Sequence, residues 1–119
     1  MRILIVEDEL LIAWEAEMAL TDAGHDVVGT APTVEKAVEL AERHHPDVII
    51  MDLRLKNGGS GVTAATMIRA KLDAEIIFAS GNLDPDCRAR LASFNPLAMI
   101  SKPYKGDDLV QAIDGFLPA

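Results

Sequence analysis

The stretch Asp47-Val48-Ile49-Ile50-Met51-Asp52 decides how the chain is read. A short apolar run with two consecutive isoleucines ends directly in a carboxylate, and a Gly-rich polar loop, Leu53 to Gly61, follows. Apolar runs of this length bounded by turn chemistry are strands buried on both faces of a sheet. An unpaired carboxylate is costly to bury, so Asp52 needs partners. If the strand is central in an open parallel sheet, its carboxyl end is where such folds place their sites. Asp52 is therefore the candidate reacting group.

Working outward, Ile3 to Val6 is a second buried strand, and it also ends in carboxylates, Glu7 and Asp8. Residues 10 to 23 form a helix with Ile12, Ala16, Ala19, Leu20 and Ala23 inward and Gly24 as its C′ residue. Val27 to Ala31 is a weaker strand. Thr33 caps a helix through about Arg43, with Val34, Ala37, Val38 and Ala41 inward and Glu35 suited to the helix dipole, and Pro46 stops it. Gly58 to Gly61 read as a flexible loop into a helix over roughly 62–72. The run from Glu75 to Ala79 is a strand ending at Ser80-Gly81. Asp84 and Pro85 open a thin helix reaching Phe94, short of large apolar residues and so expected to be mobile. Leu97 to Ile100 is the last strand and ends at Ser101-Lys102-Pro103. Asp107 or Asp108 begins a final helix with Leu109, Val110, Ile113, Phe116 and Leu117 inward.

This alternation is an α/β fold, (βα)5, with a doubly wound parallel five-stranded sheet and right-handed crossovers. Residues 1–119 read as a single domain with no output domain attached, since no linker, repeat or composition shift interrupts them. A net charge of -8 and a pI near 4.7 argue against direct nucleic-acid binding, which needs basic patches. The same charge suits a cation such as Mg²⁺ or a basic surface on a protein partner. One cysteine, Cys87, permits no internal disulfide, which points to a cytoplasmic location. The N-terminal apolar run is too short for a secretory leader, and nothing approaches a membrane span.

In a parallel sheet all strand carboxyl ends share one edge. Glu7, Asp8, Asp52, Ser80 and Lys102 therefore converge. Three crowded carboxylates repel, and a hard divalent cation relieves them; Mg²⁺ favours carboxylates with water and phosphate oxygens. Asp52 then acts as nucleophile toward a phosphoryl group. Such transfer depends mostly on positioning and charge neutralisation. Mg²⁺ would hold one phosphoryl oxygen, Lys102 a second, and Ser80 with the Gly81 N–H a third.

Taken in order, Glu7-Asp8, Asp52, Ser80-Gly81 and Lys102-Pro103 make the whole chain resemble the response-regulator receiver domain of two-component signalling. The resemblance implies a flavodoxin-like strand order 2-1-3-4-5. It also implies Mg²⁺-dependent transfer from a histidine kinase or histidine phosphotransfer protein, and signalling by conformational change to a protein partner. The metal would be held by Asp8, Asp52 and the Arg54 backbone carbonyl, with Glu7 acting through water, and the Lys102–Pro103 bond would be cis. Two features depart from the family pattern. Met99 stands where most receivers carry an aromatic switch residue, and Glu7 replaces the commoner Asp. Phe78-Ala79-Ser80-Gly81 is similar to the Phe-Ala-Thr-Gly stretch of an alphaproteobacterial subgroup that also lacks the aromatic and is often stand-alone. Without that ring, Ser80 and the loop over 80–84 are expected to carry most of the switch.

Plainer readings exist beside these. Glu7 and Asp8 suit the N-terminus of the first helix, and capping is compatible with metal binding. Gly58-Gly59-Ser60-Gly61 is no phosphate-cradling loop, because no Gly-Lys-Ser/Thr follows. His25, His44 and His45 lie away from the site edge, and Cys87 has no catalytic partner. Leu11, Trp14 and Met18 form an exposed stripe opposite the inward face of the first helix. Receivers commonly meet the histidine-bearing bundle there, so the stripe is a candidate docking patch. The competing readings are a pseudo-receiver that binds partners without phosphorylation and a small flavodoxin-like flavin binder. The second lacks a phosphate loop after the first strand.

Overall fold

The computed structural model describes residues 1–116. β1 (Arg2–Val6), β2 (Asp26–Ala31), β3 (Val48–Asp52), β4 (Glu75–Ser80) and β5 (Ala98–Ser101) alternate with α1 (Leu10–Asp22), α2 (Val34–His44), α3 (Gly61–Arg69), α4 (Pro85–Ala92) and α5 (Gly106–Phe116). The strands form one parallel sheet in the order β2-β1-β3-β4-β5. β3 is the middle strand, and every one of its residues is buried.

The period of two along each strand sends alternate side chains to opposite faces. Leu4, Val6, Ile49, Met51, Ile76 and Phe78 meet α2, α3 and α4. Ile3, Ile5, Val48, Ile50 and Ile77 meet α1 and α5. Each of these large side chains stabilises the fold by about 1.5–3 kcal/mol when fully buried. That is why unbroken β-branched runs, rather than alternating ones, mark the three central strands.

Local signals set the helix ends. Thr33 Oγ1 accepts from the Lys36 N–H at 3.1 Å at the start of α2, and His45 closes it with a left-handed φ of 47°. Asp84 accepts from the Cys87 N–H at 2.8 Å with Pro85 behind it, as read from the sequence. Gly24 follows α1 at φ 91°, a conformation that glycine adopts without penalty. Asp108 reaches back to the Lys105 N–H at 2.9 Å, so α5 starts at Gly106, slightly before the expected acids.

Several expectations shift. The inward face of α1 is centred on Ala13, Ala16 and Leu20; Ile12 and Ala19 flank it, and Ala23 is exposed where the chain leaves the helix. α3 ends at Arg69, because the Lys71 and Leu72 N–H groups both turn back onto the Ile68 carbonyl. Phe116 is 43% exposed rather than inward, and Leu109 and Ile113 are the buried residues of α5. Leu117 lies outside the described residues. Among the described residues no helix is long and apolar enough to cross a membrane.

Candidate functional site

The strand order places the topological switch point between β1 and β3, where the chain turns first toward β2 and then back toward β4. Glu7 leaves the end of β1, its N–H bonded to the Ala31 carbonyl at 2.9 Å. Asp52 ends β3 in register with Ala79, and Ser80 ends β4. The Lys102 N–H donates to the Ser80 carbonyl at 2.8 Å, which fixes where the lysine leaves β5. The Lys102–Pro103 bond is cis. Four separate strand ends thus deliver their side chains to one edge.

Lys102 is the hub. Its ammonium lies 2.5 Å from Glu7 Oε1 and 3.0 Å from Asp52 Oδ2. Both acids are almost fully enclosed, Glu7 at 5% and Asp52 at 6% exposure. Removing one partner from a buried pair of this kind costs about 3–5 kcal/mol, because the other charge is left without compensation. The second oxygen of Asp52 accepts from the Arg54 N–H, and that of Glu7 from the Glu9 N–H, each at 3.3 Å.

The electrostatics follow from this crowding. Burial, with Asp52 beside it, pushes Glu7 up to about 7, although Lys102 and the Glu9 N–H pull the other way. Burial opposes the charge on Lys102, but the two carboxylates outweigh it and hold its pKa above the ordinary lysine value. Tyr104, two residues on, is pushed up to about 12 by burial and by the negative charge of Glu7. Glu7, Asp8 and Asp52 each present one oxygen within 4.8 Å of the others. An all-oxygen set with this excess of negative charge fits a hard divalent cation such as Mg²⁺.

A cavity of about 480 Å³ opens above these groups, lined by Asp8, Asp52, Arg54, Ser80, Asn82 and Lys102. Ser80 is buried, and its Oγ accepts from the Asn82 N–H at 3.1 Å. Gly81 is exposed at the rim. A slightly larger cavity, about 530 Å³, lies at the opposite sheet edge by Asp47, Arg69 and Phe94. Asp73 and Glu75 line it as well, but among the described residues it is Glu7, Asp8 and Asp52 at the first edge that bring three carboxylate oxygens within 4.8 Å of one another.

The structure brings together Glu7, Asp8, Asp52, Ser80, Lys102 and the Arg54 backbone, as the sequence leads one to expect. Leu11, Trp14 and Met18 stand apart on the outer face of α1, exposed together with Leu10, and Trp14 is 58% exposed. The capping role of Glu7 and Asp8 is not found: Glu9 holds the N-cap position of α1, and no side chain accepts from its first turn. The carboxylates point inward to the lysine and the cavity instead.

Sequence reasoning missed two features. The first is the Glu7–Lys102 pair, which joins residues 95 positions apart and leaves no local signature. The second is Gly61. It is no flexible spacer; it forms the buried first turn of α3, behind Ser60, which accepts from the Val62 N–H at 3.1 Å. A Cβ at Gly61 would run into the Asp52 carbonyl, so only glycine lets the helix start so close to the end of β3. The preceding loop is built rather than loose, with a short 3₁₀ turn at Lys56–Gly58 and left-handed Asn57 and Gly58. The glycine run was the available signal.

Comparison with known proteins agrees with this geometry. The chain is 36% identical over 113 residues to the transcriptional regulatory protein PdtaR of Mycobacterium tuberculosis, covering 95% of this chain and 55% of that one. It is 34% identical over 104 residues to the phyllosphere-induced regulator PhyR of Methylorubrum extorquens, covering 87% and 38%. The chain therefore spans about half the length, or less, of these curated relatives. Among solved structures it matches the signal receiver domain of a modulated diguanylate cyclase from Desulfovibrio desulfuricans G20, with a TM-score of 0.84 and 32% identity over 96% of this chain and 90% of that one. Residues 3–114 match the response regulator receiver domain, and the chain belongs to that family.

Proposed function

We propose that Asp52 accepts a phosphoryl group from a histidine kinase or histidine phosphotransfer protein in a Mg²⁺-dependent reaction, and that the phosphorylated form signals to a protein partner. The observation that carries this is the Lys102 ammonium, 3.0 Å from Asp52 at the floor of an open cavity that also holds Ser80. A lysine bridging two buried carboxylates is stable without any substrate. Its position beside a cavity is what favours chemistry over a purely structural ion pair.

In the proposed step an Asp52 oxygen attacks phosphorus, the bond to the donor histidine nitrogen breaks, and that nitrogen leaves with the electron pair. Lys102 exchanges part of its contact with the carboxylates for a phosphoryl oxygen. The Ser80 hydroxyl and Gly81 N–H take another. Asp8, Asp52 and the Arg54 carbonyl would hold Mg²⁺, with Glu7 acting through water. When bound, the ion neutralises phosphoryl charge that the carboxylates would otherwise repel. The donor is proposed to dock on Leu11, Trp14 and Met18. The acidic balance of the chain favours a protein surface over DNA as the downstream target.

The direct test is labelling by acetyl phosphate and by a phosphorylated histidine donor, with and without Mg²⁺. Asp52→Asn is expected to abolish labelling in both assays. Retained labelling of the Asn variant would place the acceptor elsewhere and refute the proposal.

A further inference from the structure

The loop between β3 and α3 is tied at its feet and open at its tip. Arg54 and Ser60 pair as an antiparallel bridge. Inside that bridge the Leu55 N–H donates to the Gly59 carbonyl at 3.0 Å, and the Lys56 N–H donates to the Pro32 carbonyl at 3.1 Å. The bond across the tip, from the Gly59 N–H to the Lys56 carbonyl, is the longest of the three at 3.2 Å. Leu55 is buried, whereas Lys56, Asn57 and Gly58 are all exposed.

Asn57 and Gly58 both take a left-handed backbone there, with φ of 62° and 73°. Asparagine and glycine accept that conformation at little cost, which accounts for the pair structurally. The same pair also carries chemistry. The side-chain amide of Asn57 is a carbonyl electrophile beside the backbone nitrogen of Gly58, and Gly58 brings no side chain to hinder that nitrogen. The space a Cβ would occupy at Gly58 is open, with nothing beyond its chain neighbours within 4 Å. The other two asparagines are placed differently. Asn95 precedes Pro96, whose nitrogen has no proton to lose, and Asn82 precedes the bulkier Leu83.

We propose that Asn57–Gly58 is a self-modification site, at which the loop rearranges to isoaspartate with water as the only co-reactant. The Gly58 nitrogen loses its proton and attacks Asn57 Cγ. The new C–N bond closes a cyclic imide, the Cγ–Nδ2 bond breaks, and Nδ2 leaves as ammonia with the electron pair and the proton. Water then opens the imide at either carbonyl. Opening at Cγ restores the backbone and leaves aspartate, which tolerates the left-handed region as asparagine does and keeps the loop intact. Opening at the backbone carbonyl routes the chain through Cγ and adds one methylene to it. Both products carry a new carboxylate, so the net charge of -8 becomes one unit more negative. The longer isoaspartyl backbone breaks the Lys56–Gly59 bond and loosens the loop from its tip toward Arg54 and Ser60. Gly61 cannot give way in its place, because even a Cβ there would meet the Asp52 carbonyl.

The test incubates the whole ¹⁵N-labelled chain in warm, mildly alkaline buffer and maps its peptides after cleavage at arginine. Leu55–Arg69 is expected to gain the mass of an amide-to-acid conversion and to accept label from an isoaspartyl methyltransferase. Ala70–Arg88, with Asn82, and Leu91–Ala119, with Asn95, should stay unchanged. The gain should quicken as pH rises, because the attacking nitrogen must lose its proton. Asn57→Gly keeps the left-handed backbone and removes the electrophile, so it should abolish the gain. Amide shifts are expected over 54–61 in the incubated chain and not in the incubated Asn57→Gly chain. No mass gain in Leu55–Arg69, an equal gain in the other two peptides, or a gain without methyltransferase label overturns the site. A labelled product with unmoved amides over 54–61 overturns the loosening of the loop. Each of these readouts is independent of the acceptor role proposed for Asp52.

Discussion

β3 and β5 each deliver one charge to the same site, Asp52 and Lys102, yet they are built in opposite ways. β3 is the middle strand, buried throughout and bonded on both sides by β1 and β4. β5 is a four-residue edge strand, paired only with β4, and none of its residues is fully buried. The carboxylate is thus fixed by the densest part of the core, and the ammonium that answers it comes from the thinnest part of the sheet. The site proposed to hold a phosphoryl group and then report it would gain from this division. The reacting oxygen cannot drift, while elements around the lysine and α4 can shift at small cost.

The sharpest way to break the comparison is a pair of truncations. Ile49→Ala in β3 should cost about 2–5 kcal/mol in urea unfolding, because a buried branched side chain leaves a cavity. Met99→Ala in β5 should cost at most about 2 kcal/mol, since the methionine is only partly buried. Similar losses at both positions would erase the distinction. Gly61→Ala probes the rigid end directly: the added methyl meets the Asp52 carbonyl, and the expected cost is about 1–3 kcal/mol, with slower labelling by acetyl phosphate even where the fold persists. A fully stable Gly61→Ala chain would show that the end of β3 yields after all. The smallest effect on stability, within about 0.5 kcal/mol, belongs to Trp14→Ala, on an exposed face away from both strands. There the expected change is in partner kinetics: slower transfer from the histidine donor and unchanged labelling by acetyl phosphate. Equal loss in both assays would remove the docking role.

Much of this was legible in the residues. The apolar runs at 3–6, 48–51 and 76–79 identify the buried strands because both faces of a parallel sheet are covered. Thr33, Asp84 and Gly24 mark helix ends through local hydrogen bonds and backbone freedom, which act over three or four residues. What local chemistry does not control was read less well. The exposure of Phe116 depends on which turns of α5 are packed in the fold. The position of Gly61 depends on how closely α3 approaches β3. Glu7 gained the contact that local chemistry could not show, a direct pairing with Lys102.

By itself, then, the sequence determined the order of strands and helices along the chain and the set of polar groups at one sheet edge, because periodicity and strand direction are local properties. Only the tertiary structure decided which of those groups touch. Lys102 lies between Glu7 and Asp52 because residues distant in sequence are brought within 3.0 Å by the packing of four strands. Gly61 is irreplaceable in that arrangement because α3 starts against the carbonyl of Asp52 itself.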